Sequence, residues 1–195
     1  QGLDLIRGVI ESVGLSVARS PRQAMVRLLW RRARLRWRGL EFVSRRSEDI
    51  DPEVLLRLDT CWSAATGLGL VDLISASDFI AWHLHMALDA GEPSRIARGL
   101  AIESAARHAD WPFRKGIPRI AEQSAAVVRL VGTPHAIVIQ LIADSIAGTA
   151  TGQWRRALES SERALTILRD RCVGLTWETT IAQNVMIWSL MYLGE

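Results

Sequence analysis

Proline recurs at a fixed interval of 41 residues, at Pro52, Pro93 and Pro134. Proline suits the first turn of a helix, where the amide it lacks would have no intrahelical partner, and it is expelled from helix interiors. Each of the three therefore marks a helix start. Further matches share the interval. A branched aliphatic follows each proline at the third position (Leu55, Ile96, Ile137), a serine at the eleventh (Ser63, Ser104, Ser145) and an alanine at the thirteenth (Ala65, Ala106, Ala147). Small side chains in mid-helix let a neighbouring helix come close. Repetition at this spacing predicts stacked helical hairpins, an architecture that builds surfaces for holding other molecules.

The remaining punctuation fits helices throughout. Residues 2–13 carry Leu3, Ile6, Val9, Ile10 and Val13 on one side of a short helix. Ser20, Pro21 and Gln23 form a capping signal for a helix that runs to Arg38 and stops near Gly39. Residues 44–51 read as a polar loop. Asp51 caps a helix from Pro52 to about Val71, and a second covers about 77–90 and ends at Gly91. The next pair spans about 93–109 and 118–132, separated by a loop at Trp111-Pro112-Phe113. Thr133 caps a third pair, about 134–147 and 153–170, and a last helix starts near Thr176. No sustained alternation of apolar and polar residues predicts a strand. The expected fold is all-α, with antiparallel helix pairs stacked into a right-handed superhelix. Residues 1–195 are expected to form one helical-repeat domain: basic helices in 1–46, pairs at 52–90, 93–132 and 134–170, and a terminal helix at 176–195. The chain begins at Gln1, not methionine, and is read as a fragment of a larger protein.

Charge is unevenly distributed. Residues 1–46 hold eleven arginines against Asp4, Glu11 and Glu41, while the rest of the chain is net acidic and the whole carries only +3. At 100° per residue, Arg27, Arg31, Arg34 and Arg38 fall within about 60° of one another. They make a candidate basic interaction face, with Arg32 and Arg36 as a smaller ridge. Val26, Leu29, Trp30, Ala33, Trp37 and Leu40 fall on the adjacent face. Such arginines could pair with carboxylates of the acidic body, meet an acidic protein, or bind nucleic acid or anionic membrane. No nucleic-acid-binding signature accompanies them, so nucleic acid and membrane are the disfavoured partners.

Eight tryptophans against one tyrosine is an unusual balance. Trp30, Trp37, Trp62, Trp82, Trp154, Trp177 and Trp188 lie in helical stretches, where packing between helices is the expectation. Trp111 and Phe113, in a loop, form a candidate exposed aromatic patch. Cys61 and Cys172 lack metal spacing and read as free thiols. His83 and His85 are two apart, so a helix points them in different directions; no metal site is expected. No nucleophile elbow, phosphate loop or paired catalytic carboxylates occur, so no catalytic residue, cofactor or enzymatic activity is assigned. No apolar run reaches the length of about 18 residues that spans a bilayer, and a cytoplasmic location is expected.

Two resemblances sharpen this picture. Gly152-Gln153-Trp154-Arg155-Arg156-Ala157-Leu158, followed by Ala164-Leu165, resembles the second helix of a tetratricopeptide repeat. Ser161 stands where that pattern has a bulky aromatic, and Gly148 where it has a large side chain. The resemblance implies a tetratricopeptide-like superhelix with the first helix of each pair lining its inner surface. The segments 20–39, 58–72, 90–101 and 167–178, the last containing Arg171-Cys172-x-Gly174-x-x-Trp177-Glu178, resemble the C-terminal helical region of large bacterial serine/threonine protein kinases of myxobacterial type. No kinase motif lies within the chain. The resemblance implies a non-catalytic interaction, scaffold or regulatory module of a signalling kinase. Its partner would be the kinase domain itself or another protein or peptide, with self-association through the terminal helices (Trp177, Trp188). The alternative is a basic surface on the Arg27–Arg38 helix.

Overall fold

The computed structural model of the protein describes residue 8, residues 10–109 and residues 117–195. Among these there are eight long α-helices, a 3-10 turn at Ser47–Asp49 and no strand. The helices are α1 (Pro21–Arg38), α2 (Pro52–Leu68), α3 (Leu73–Ala90), α4 (Pro93–Ala109), α5 (Ile117–Val131), α6 (Pro134–Ala150), α7 (Trp154–Arg171) and α8 (Thr176–Leu193). The all-α class expected from the sequence is therefore present. Most of the segment 2–13 and the whole Trp111/Phe113 loop lie outside the described residues.

All three prolines of the 41-residue interval open a helix, and the residue before each supplies the cap. Asp51 accepts from the amide of Glu53 at 2.8 Å, Glu92 from Ser94 and Arg95 at 3.2 and 2.8 Å, and Thr133 from Ala136 at 3.3 Å. An oxygen-bearing side chain thus satisfies amides that the first helical turn leaves unpaired. The sequence-based boundary of α3 is four residues late. Asp72 is the actual N-cap, with Oδ1 accepting from Ser75 N at 3.1 Å and Oδ2 from Ser75 Oγ at 2.6 Å. The apolar pattern alone did not reveal this start, because Ser75, Ser77 and Asp78 are polar residues buried in the first turns.

The described helices fall into two compact units, Gln1–Gly99 and Leu100–Glu195, with the division inside α4. In the first unit α3 is the hub, with most of its residues buried. It packs on α1 and α2, and it meets the start of α4 where a Cβ added at Gly99 would lie 3.1 Å from the His83 ring. Leu58, Cys61, Leu84 and Ile96 form a fully enclosed centre. The chain between α1 and α2 lies along the end of α3: the Arg45 amide donates to Gly91 O at 2.9 Å.

In the second unit α6, α7 and α8 each pack against the other two, and α5 packs on α6. Small residues set the spacing. A Cβ added at Gly148 of α6 would stand 3.0–3.2 Å from the Cβ, amide and Cα of Ala157 of α7. Ser161, fully buried, turns its hydroxyl back to Ala157 O at 2.9 Å. Gly148, one of the two departures from the tetratricopeptide pattern, is thus where these helices come close. His135 of α6 reaches Glu178 of α8 at 2.9 Å.

The Ser-x-Ala notch does not keep one environment. Ser104 and Ser145 are buried and their partners Ala106 and Ala147 half-buried, but Ser63 is exposed and Ala65 buried. Helix α2 is rotated relative to that register because Leu58, Cys61, Trp62, Ala65 and Leu68 form its inward stripe. The interval transmits helix starts and caps faithfully, and packing faces only between the repeats opened by Pro93 and Pro134.

Candidate docking face

Helix α1 begins as the sequence predicts. Ser20 Oγ accepts from Gln23 N at 3.3 Å, and Gln23 Oε1 accepts from Arg19 N at 2.6 Å, one residue earlier than in a standard capping box. It ends at Gly39, whose φ of 79° suits glycine. Its rotation about its own axis is the decisive feature. Ala24, Leu28, Arg32 and Leu35 are buried, so the arginine side of the helix turns toward α3.

Four residues on one face of α3 receive it: Asp78, Trp82, His85 and Asp89. Arg31 Nε lies 3.1 Å from Asp78 Oδ1, and its guanidinium lies over the Trp82 ring, 3.9 Å from the centroid. His85 donates from Nε2 to Arg31 O at 2.8 Å, and Arg38 Nε donates to Asp89 at 2.8 Å. Arg27 donates to Ser16 O at 3.0 Å. Burial pushes the Asp78 carboxyl above its ordinary range, opposed by the charge of Arg31, and burial likewise lowers His85, which stays a neutral donor. Of the four arginines expected to share a basic face, Arg27, Arg31 and Arg38 are engaged within the protein; Arg34 is exposed. The remaining exposed cations of α1 are Arg22 and Arg36.

The opposite side of α1 is apolar and open. Val26, Leu29, Trp30 and Trp37 are exposed, with Trp30 at 59% and Trp37 at 74%, and Ala33 lies between them half-buried. The expectation that Trp30 and Trp37 pack between helices is overturned, because the arginines take the inward side by pairing with carboxylates of α3. The two indoles meet edge to face, centroids 6.1 Å apart, an arrangement that orders them at the surface. At 100° per residue Arg34 flanks this stripe on one side and Arg36 on the other. Beside α1, Ile50, Val54, Trp82 and Met86 form the apolar floor of an open groove of about 500 Å³. Arg31 and Arg38 hold two of its walls, Trp82 and Asp89, in place.

The other tryptophans divide. Trp62 is buried beside the His83 ring, Trp82, Trp154 and Trp177 are half-buried, and Trp188 is exposed. The candidate patch of Trp111 and Phe113 lies outside the described residues.

A cysteine, a histidine and an aspartate (Cys61, His83 and Asp59) gather between α2, α3 and α4, but their geometry suits structure, not nucleophilic chemistry. The Cys61 thiol donates to Phe79 O at 3.3 Å, and burial pushes its pKa up to about 12. His83 is fully buried. His83 Nδ1 lies 3.1 Å from Leu58 O, and Nε2 lies 3.1 Å from Arg95 O and 3.3 Å from Arg98 Nε, so the ring is pinned between two carbonyls and a guanidinium. Burial and the neighbouring Arg98 lower the His83 pKa to about 3, so the ring is neutral. Asp59 binds Arg95 at 2.6 Å and also Arg98, which itself stands over Trp62. Burial opposes ionisation of Asp59, but the two arginines outweigh it and hold the carboxyl below its usual value. Among the described residues no cluster of three His, Cys, Asp or Glu side chains could hold a metal, and no helix is long and apolar enough to cross a membrane.

The chain matches no protein-family model, no curated protein and no solved structure.

Proposed function

We propose that this chain is a non-catalytic protein-interaction module and that the outward face of α1 is its docking surface. The carrying observation is the paired, exposed Trp30 and Trp37 on an apolar stripe flanked by Arg34 and Arg36. Large aromatics left at the surface are the side chains most often used as interface anchors. The flanking guanidiniums select the occupant: an amphipathic helix with an apolar stripe and acidic borders, laid against α1. A second copy of α1 is a poor occupant, since it would set arginine against arginine.

Panning a library of displayed amphipathic helices on the full chain tests the proposal. Enriched clones should carry acidic borders, and their binding should fall at least about tenfold in Trp30→Ala/Trp37→Ala, the size of effect expected of interface anchors. Neutral or basic clones, or clones indifferent to both tryptophans, would refute it. Retention on anionic phospholipid vesicles or duplex DNA that is lost with Arg34→Glu/Arg36→Glu, without acidic clones, would put the alternative basic surface in its place.

The wider proposal is a regulatory or scaffolding role beside a bacterial signalling kinase, in a tetratricopeptide-like stack. Its support is the four resembling segments and the mutual packing of α6, α7 and α8, which stacked hairpins also have. The coding sequence on the N-terminal side of Gln1 is the test: a kinase catalytic domain there supports the role, and an unrelated sequence removes it.

A further inference from the structure

The last helix presents a second open face, of different character. Ile187, Trp188, Met191 and Tyr192 of α8 are exposed at 50%, 55%, 71% and 70%. At 100° per residue they share the outward side with Thr180 and Asn184, while Glu178, Ala182, Val185 and Ser189 are buried on the inward side. Tyr192 is fixed in place: its ring stacks on Trp154 of α7, centroids 4.0 Å apart and planes 3° from parallel. From Thr179 to Gly194 there is no ionisable side chain other than the Tyr192 phenol.

We infer that this face pairs with the same face of a second copy of the chain, α8 against α8 about a two-fold axis near Trp188 and Met191. The absence of charge is the selecting feature. The helix contributes no charge between Thr179 and Gly194, and the nearby Arg155 and Glu195 neutralise each other at 3.1 Å, so the face meets its own copy without net like-charge repulsion, and a two-fold axis makes every contact twice. It also offers no electrostatic means of choosing a different partner, in contrast to the arginine-bordered face of α1. Free aromatic side chains expose about 150–250 Å² each, and Ile and Met lie toward the lower end of that range. The four partly exposed ones therefore offer roughly 500 Å² per copy, about 1,000 Å² for the pair, which meets the minimum for a biological interface and belongs to the weak, reversible class. Stacking of Tyr192 on Trp154 lowers the ordering cost that binding must meet.

Sedimentation equilibrium on the full chain, from about 1 to 100 µM, the range in which an interface near the lower size limit should reveal itself, tests this. A dimer mass is expected, unchanged between low and high salt. Trp188→Glu/Met191→Glu should give a monomer with unaltered helix content, and Trp30→Glu/Trp37→Glu should leave the dimer intact, which separates this face from the α1 surface. In a Cys172→Ser background, Met191→Cys should form an interchain disulfide on mild oxidation. A monomer throughout the range, a dimer insensitive to Trp188→Glu/Met191→Glu, or no cross-link through Met191→Cys would overturn the inference and assign the face to another occupant, such as a further hairpin of a longer chain.

Discussion

Arg31 stands over the indole of Trp82, its guanidinium carbon 3.9 Å from the centroid, while the same guanidinium faces Asp78 one helical turn earlier on α3. Asp78 is 2% exposed, and its Oδ1 accepts no well-aligned hydrogen bond although Arg31 Nε stands at 3.1 Å. Charge holds this pair more than alignment does. Removing one partner leaves the other buried and uncompensated. Arg31→Ala should therefore cost about 3 kcal/mol of unfolding free energy, read by urea denaturation. Arg31→Met/Asp78→Leu should recover most of the loss. Equal losses in the single and double variants would show that the pair contributes packing alone.

His83 predicts a pH dependence of definite sign. In the folded protein it stays neutral down to about pH 3, whereas in the unfolded chain it takes up a proton below about pH 6.5. Between those values the unfolded state binds more protons, so stability falls as pH falls, with a slope approaching about 1.4 kcal/mol per pH unit. His83→Gln keeps an uncharged donor for the Leu58 and Arg95 carbonyls and should show a correspondingly flatter profile. Asp78, with its raised carboxyl, pulls the other way, but it is present in both proteins and cancels in the difference. Identical profiles for the two proteins would contradict the assignment.

Gly91 has a φ of +83°, and a Cβ there would lie 2.1 Å from Val43 O. Gly91→Ala must both strain the backbone and push away the segment between α1 and α2. A loss of about 1–3 kcal/mol is expected, with faster hydrogen exchange at the Arg45 amide, whose bond to Gly91 O would open. Unchanged exchange at Arg45 would show that the segment is held by other contacts.

Two helical glycines should respond with opposite signs. Gly67 in α2 has nothing within 4 Å of an added Cβ, so Gly67→Ala should stabilise by roughly 0.5 kcal/mol through helix propensity. Gly148 in α6 faces the backbone of Ala157 at 3.1 Å, so Gly148→Leu should force α6 and α7 apart and lower the thermal midpoint. A neutral Gly148→Leu would mean that the second unit repacks freely.

How far the sequence discloses this molecule can be traced residue by residue. The prolines at 52, 93 and 134 located three helix starts, because the physics of a helix first turn is local. The caps Asp51 and Thr133 were legible as well, and Glu92 adds a third at the same interval. Asp72 was hidden because α3 buries polar side chains near its start. The rotation of α1 was not legible from its own residues. Arginines normally face water and tryptophans the interior, and the reversal depends on Asp78 and Asp89, some fifty residues away. A paired reading of α1 with α3 would have found it: acidic and aromatic residues at 78, 82 and 89 stand at helical spacing, opposite arginines seven apart.

The outward placement of Trp30 and Trp37 gives the protein a built-in optical reporter. Indoles in water emit at longer wavelength than indoles in a dry interior, and they are open to quenching by dissolved iodide. A ligand that covers α1 should shift that emission to the blue and shield it from quencher, and Trp30→Phe/Trp37→Phe should silence the response. Occupancy of the face could then be followed by light, with no label attached.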